Sequence, residues 1–300
     1  MKTRLKQGIK SLLCVKAFNA ALIPAARLCS PILPQRVLQK IPYVGQTRLR
    51  LPDSKEVVLE SDGNDPVATM VFWGGMQGFE ASALRLFLEL VKSSEVIFDV
   101  GANTGIYTLI AGIANPRSKV YAFEPVPRVC GYFERNVEIN RLTNVELHRA
   151  ALTNYDGEIE LYVPPKTLPS SASTLKGFVA NTEALRVEAR TIDSFVAQHE
   201  IPRVDLLKID TEATEHLVLE GGRKTIERDK PAIICEVLPG RTESQLHAVM
   251  DGLGFKYFWI SGEGLVEKQK IVGDPTYKEA NYLFITEEKL IASSIRENVG

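Results

Sequence analysis

Cysteine is scarce in this 300-residue chain: Cys14, Cys29, Cys130 and Cys235, with no C-x-x-C pair. That scatter argues against a disulfide framework or a thiolate zinc site and for free thiols in a reducing compartment. Long apolar runs are also missing. Lys16 and Asn19 interrupt the stretch near the start before it reaches the roughly 18 to 20 residues a spanning helix needs. Neither phosphate-binding glycine signature is present, G-x-G-x-x-G or G-x-x-x-x-G-K-[ST]. No internal repeat is visible. The body has no basic stripe interleaved with aromatics, and the net charge is −1, so a nucleic-acid partner is not expected.

One sign of charge is absent from the head. Residues 1–52 carry ten Lys or Arg and no Asp or Glu, whereas the remainder has a net charge of −11. Leu5, Ile9, Leu12, Leu13 and Lys16 recur at helical spacing, with Lys2, Lys6 and Lys10 on other faces. This pattern predicts a basic amphipathic helix ending near Pro24. Three readings stay open: a targeting peptide, against which Lys16 counts; a helix lying on anionic lipid; and a helix packed on the body or on a partner. Pro24, Pro31, Pro34, Pro42 and Pro52 punctuate a linker. The expected organisation is a basic extension and linker over 1–52, a lead-in over 53–94, a main domain over 95–290 and a tail over 291–300. The expected location is cytoplasmic, with peripheral membrane contact through the basic head as one alternative.

What is present in the body is alternation of strands and helices. The segments 95–101, 119–125, 144–152, 204–210 and 232–238 are apolar runs without strict alternation, as in strands covered on both faces. Helix-like stretches lie between them, including 104–114 and 128–140. Repeated strand–helix units predict a doubly wound, mostly parallel α/β sheet. Residues 157–163 alternate with period two and suit an extra hairpin strand, followed by a long polar loop over 164–184. The aromatic-rich segments 255–261 and 281–286 suit a closing antiparallel hairpin.

Three segments carry the chemistry. In DVGANTG (99–105) a buried strand turns into a helix. Gly101 permits the tight turn, and Gly105 allows close approach of a ligand or of neighbouring backbone. Free amide N–H groups at the new helix favour an anionic or polar ligand. Glu124 ends the next strand, at the carboxyl edge where doubly wound sheets bind ligands. Its two oxygens can accept from both hydroxyls of a ribose. In LLKIDTEATEHLVLEGG (206–222), Lys208, Asp210 and Glu212 share one side if the strand stays extended. Glu236 ends the following strand in the same row. Several acids beside one lysine are costly unless paired or used.

Taken together, DVGANTGIYTLIAG, VYAFEPVPRVCGYFERN, NVELHRAAL, LLKIDTEATEHLVLEGG and AIICEVL resemble the FkbM-type family of S-adenosylmethionine-dependent methyltransferases. The likeness runs from about Phe72 to Thr286 and includes the lead-in FWGGMQGFEASAL with Glu80. It implies a Rossmann-like class I methyltransferase fold, seven-stranded with an antiparallel last strand, to which the pattern of the head adds an N-terminal helical extension. It places Asp99, Gly101, Asn103 and Gly105 around the methionine part of S-adenosyl-L-methionine, Glu124 on the ribose and Ala150 near the adenine. Asp210 and Glu212 match the family's acidic motif. Ala213 stands where the family commonly has glycine, which puts the local turn in doubt.

The implied activity is O-methylation of a hydroxyl on a sugar, glycan or natural product by in-line displacement. Asp210, Glu212 and His216 are the candidates for proton removal. A helix starting near Glu212 would put His216 on its face. Asp210, Glu212 and Glu236 could ligate a hard cation, but no metal is assigned. Trp73, Phe79, Tyr257, Phe258 and Trp259 could line an acceptor cleft or simply pack. The expected partner is a small-molecule or glycan acceptor. The rival readings are a non-catalytic cofactor-binding protein, which Ala213 favours, and a dinucleotide-using oxidoreductase, which the missing third glycine disfavours.

Overall fold

A computed structural model describes residues 13–30, 32–165, 168, 172–175, 178, 181–293 and 295. The expected helical positions 2–12 lie outside these residues, as does part of the 164–184 loop. The head begins with α1 (Lys16–Cys29), which runs through Pro24 rather than ending there. Proline removes one backbone bond, the one to the carbonyl of Ala20, but Pro24 and Ala20 are both exposed, so water can replace the lost partner. Asn19 pins α1 to the body: its Nδ2 donates to the Pro42 carbonyl at 2.6 Å and its Oδ1 accepts from Val44 N at 3.0 Å. A short helix, α2 (Gln35–Leu38), leads into an antiparallel pair, β1 (Val44–Arg50) and β2 (Glu56–Asp62), which crosses residue 52. Then come α3 (Pro66–Gly74), whose first turn is capped by Asp65, and α4 (Ala81–Val91).

The alternating part follows: β3 (Val96–Val100), α5 (Ile106–Ala114), β4 (Lys119–Phe123), α6 (Pro127–Ile139) and β5 (Val145–His148). The expected strand 144–152 breaks at Arg149. Its second half, β6 (Ala150–Leu152), leaves the main sheet and pairs with β8 (Glu183–Arg190), which in turn pairs with β7 (Gly157–Val163). After α7 (Ile192–Gln198) come β9 (Leu206–Ile209), α8 (Glu215–Gly221), α9 (Arg223–Asp229), β10 (Ala232–Glu236) and α10 (Glu243–Met250). The chain closes with β11 (Phe255–Ser261), β12 (Gly264–Lys268), β13 (Asn281–Thr286) and α11 (Glu287–Ala292).

The main sheet has the order β12-β11-β13-β10-β9-β3-β4-β5. Strands β10, β9, β3, β4 and β5 are parallel, and β13 inserts antiparallel between β10 and β11. From β11 to β5 these are the seven strands expected, with the last strand antiparallel. The hairpin strand β12 adds an eighth at the edge. The closing segments do pair, but across β12 in sequence rather than through one turn.

Both faces of the sheet are dry, as apolar runs require. Ile97, Leu206, Ile234 and Leu283 point into a core shared with α4, α5 and the β1–β2 hairpin. Their neighbours Phe98, Leu207, Ile233 and Phe284 point into a second core, closed by α7, α8, α9 and α10. Strand order reverses between β3 and β9. At such a switch point the connecting loops diverge to opposite faces and leave a crevice beyond the carboxyl ends of the strands.

Candidate active site

A crevice of about 320 Å³ opens at that switch point, between the turns that follow β3 and β9. The first turn is built by glycine. Gly101 has φ +79°, and a Cβ there would stand 1.8 Å from the Asp210 carbonyl. The two turns can approach only because that side chain is missing. Gly105, at φ +96°, gives its space to Phe133 of α6 and does not line the crevice. Asp99 and Gly101 line the wall, as do Asn103, Glu124 and Ala150.

Glu124 is 6% exposed, and its carboxylate ties the glycine turn to the loop after β4. One oxygen accepts from Asn103 N at 3.0 Å and the other from Val126 N at 2.9 Å. Burial still pushes its pKa up to about 7, against the pull of those two amides. Asp99 accepts from both the backbone N–H and the hydroxyl of Thr108, at 3.0 and 2.6 Å, which anchors the start of α5. Burial lifts its pKa to about 6.

The opposite wall holds Lys208, 1% exposed, which donates to Asn281 Oδ1 at 3.2 Å and faces Asp210 Oδ2 at 3.4 Å. Burial alone would lower its pKa, but Asp210 and Glu80 outweigh that and raise it. Glu80 accepts from the Tyr107 hydroxyl, and Lys208 lies 4.9 Å over the Tyr107 ring. Glu212 is pushed up to about 8, first by burial and then by the negative charges of Asp210 and Glu215. Glu236 is raised well above the carboxylate range for the same first reason, and its Oε2 is buried with no partner among the described residues.

The turn after β9 corrects one expectation. Lys208, Asp210 and Glu212 do line one crevice, but not as an extended strand. The strand ends at Ile209, and both Glu212 (φ +57°) and Ala213 (φ +75°) are left-handed. Helix α8 therefore starts at Glu215, not Glu212, and His216 does not share a helical face with Glu212. His216 does not line the crevice, and burial lowers its pKa. The strained turn is held from outside. Glu215 Oε1 accepts from Thr211 N at 3.0 Å and Ala213 N at 3.1 Å, and the Ser173 hydroxyl donates to the Glu212 carbonyl at 2.7 Å.

Tyr107 lines the crevice, and Glu215 and Ser173 hold its second turn, although the sequence did not single them out. Tyr107 sits in an apolar helical run, Glu215 reads as an ordinary first-turn acid, and Ser173 lies in a polar loop. Of the five aromatics considered, Phe79 lines the crevice and Trp73, Tyr257, Phe258 and Trp259 do not. Ala172 and Thr174 bring the described part of the 164–184 loop to its rim. Among the described residues no group of three His, Cys, Asp or Glu side chains could hold a metal ion.

Fold and crevice define a doubly wound α/β protein with an acid-rich ligand site at its switch point. The model of the FkbM methyltransferase domain matches residues 99–257, and the chain belongs to that family. The family's methyl donor is S-adenosyl-L-methionine. Methyltransferase 1 of Beauveria bassiana is 34% identical over 70 residues, which cover 23% of this chain and 28% of that protein. Uncharacterized protein MJ1452 of Methanocaldococcus jannaschii is 33% identical over 67 residues, 22% and 25% of the two chains. The chain thus spans about a quarter of the length of these curated relatives. Methyltransferase FkbM from Methylobacillus flagellatus KT superposes with a TM-score of 0.43 at 13% identity, covering 64% of this chain and 43% of that one. Aeropyrum pernix fibrillarin, solved with natively bound S-adenosyl-L-methionine, gives 0.40 at 15% identity over 81% and 94%.

The residues present suit this donor. It carries a sulfonium, an ammonium, a carboxylate and a ribose, and its net charge is positive. The crevice offers Asp99, Glu124, Asp210, Glu212 and Glu236 against a single lysine that is already paired. The orphaned Glu236 oxygen is what a cationic, hydroxyl-bearing ligand would satisfy.

Proposed function

We propose that this protein moves a methyl group from S-adenosyl-L-methionine to a hydroxyl of a sugar, glycan or natural product by in-line displacement. The observation that carries the reading is Glu212. It is a carboxyl at the crevice whose pKa is pushed up to about 8, beside Asp210 and opposite the glycine turn. When bound, the donor supplies a methyl carbon on a sulfonium that departs as a neutral thioether.

The chain's own residues do the rest. The fixed carboxylate of Glu124 holds the donor's ribose, and Asp99 and the turn from Gly101 to Asn103 wall the donor's other end. Alignment matters because the acceptor oxygen must sit roughly 3 to 3.5 Å from the methyl carbon, opposite the leaving sulfur. An alcohol is a poor nucleophile until its proton leaves. Glu212 takes that proton as the carbon–oxygen bond forms, and a base with a pKa near the working pH suits this task. Lys208 holds Asp210 in place and balances part of the negative charge. His216 has no part in this scheme. Ala172 and Thr174 add to the lining of the crevice.

Two measurements test it. Calorimetric titration with S-adenosyl-L-methionine should give saturable binding that tightens between pH 6 and 8 as Glu124 loses its proton. Glu124→Ala should weaken binding by about a hundredfold, the cost of leaving two hydroxyls and two amides without their acceptor. A methyl-transfer assay over a panel of sugars and glycans should then find an acceptor. In Glu212→Gln, turnover should fall roughly 10²- to 10³-fold with donor affinity nearly unchanged. Tight donor binding with no transfer to any hydroxyl acceptor would sink the O-methylation reading and favour a non-catalytic binder.

A further inference from the structure

The helix α1 has two faces, and only one of them is used. Asn19, Ile23 and Ala26 turn into the body and are buried. Ala17, Phe18, Ala21, Ala25 and Leu28 recur on the outer side at i, i+1, i+4, i+8 and i+11, and all five are exposed. Phe18 is 41% exposed and Leu28 82%. The apolar exposure continues beyond the helix through Ile32, at 86%, and Val37. Half of the exposed large hydrophobic side chains among the described residues fall between residues 15 and 37. A patch this concentrated has a use in most proteins that carry one.

Charge says what the use is. Lys16, Arg27, Arg36 and Lys40 are exposed in the same segment. Residues 1–52 contain no acid at all, while the rest of the chain is net negative. An exposed apolar strip in a segment whose only charges are cationic is complementary to an anionic bilayer surface. The apolar side chains enter the acyl boundary, and the cations meet the headgroup phosphates. No helix among the described residues is long and apolar enough to cross a membrane, so the contact is peripheral. We propose that the outer face of α1, continued through Ile32 and Val37, docks the protein on an anionic lipid bilayer. The inner face meanwhile fixes the body to it: Asn19 bonds to Pro42 and Val44, and Arg27 lies 4.6 Å over the Phe72 ring of α3.

The test is vesicle co-sedimentation of the full chain, using phosphatidylcholine vesicles with and without phosphatidylglycerol. Binding is expected only when the anionic lipid is present, and it should fall as salt rises. Phe18→Ser with Leu28→Ser should weaken it by roughly tenfold or more. Lys16→Glu with Lys40→Glu should weaken it about 25-fold or more. All four positions are exposed, and circular dichroism and donor binding, which should not change, report that the variants fold. No binding to anionic vesicles at low salt would overturn the proposal, as would binding indifferent to all four substitutions. A dimer seen by light scattering and dispersed by Leu28→Ser, without vesicle binding, would give the face to a second copy instead.

Discussion

The two turns that face each other across the crevice solve one problem in different ways. Both must reverse a parallel strand into a helix within a few residues, and both need left-handed backbone. After β3, residue choice does this: Gly101 and Gly105 take positive φ angles at little cost, and Asn103 at φ +50° is of a residue type that tolerates them. After β9, Glu212 and Ala213 take them, which side chains resist, and tertiary bonds from Glu215 and Ser173 hold them there. The first turn relies mainly on composition, with Glu124 bonding the Asn103 N–H; the second relies on its surroundings. What the second gains is a carboxyl in the strained position itself, lining the site, where a glycine could supply no chemistry.

The contrast can be broken most sharply at Gly101. Gly101→Ala places a Cβ against the Asp210 carbonyl at positive φ, so a loss of about 3 kcal/mol or more is expected, read as a large fall in Tm. Near-native Tm would show that the turns can part freely.

The pH dependence is next. Asp99, Glu124, Glu215 and Glu212 are raised to about 6, 7, 7 and 8. Each holds its proton more tightly folded than unfolded. Between about pH 4.5 and 8 the unfolded state therefore binds fewer protons, and the stability of the ligand-free protein falls as pH rises. Thermal melts from pH 5 to 9 should show this fall, and in Glu212→Gln it should be shallower toward pH 8. A Tm that climbs over that range would contradict it.

Glu215→Ala should cost about 2 kcal/mol by leaving two turn amides without their acceptor. Glu215→Gln keeps an acceptor oxygen and should stay within about 1 kcal/mol of the parent. Equal losses in denaturant titrations would mean that the charge, not the acceptor, holds the turn. The smallest effect is a gain: Ala213→Gly should stabilise by up to about 1 kcal/mol, because glycine accepts φ +75°. Destabilisation would show that the Ala213 methyl's packing outweighs its strain.

The parallel strands were legible because a strand dry on both faces must be apolar throughout. The acids at their ends were legible because each marks where such a run stops. Pattern alone could not reach the rest. β8 carries Glu, Arg and Ala on a half-exposed ribbon, so its sequence resembles a loop until β7 supplies its partner. The β1–β2 hairpin is hidden in the same way. Pro24 looks like a helix stop because the pattern does not say that its side of the helix is wet. The start of α8 escapes the pattern because Glu215, Ser173 and the left-handed pair act on one another across the fold. Residue 213 nevertheless stands out as unusual, through the glycine that the family commonly has there.

The place of β13 matters before the protein is finished. It pairs with β10 on one side and β11 on the other, so the sheet is completed in its middle by residues 281–286. A nascent chain paused after Lys268 would carry two open apolar strand edges with nothing to join them. Its aggregation hazard is therefore concentrated in the interval before residues 281–286 emerge, when a chaperone or a slow ribosome would matter most.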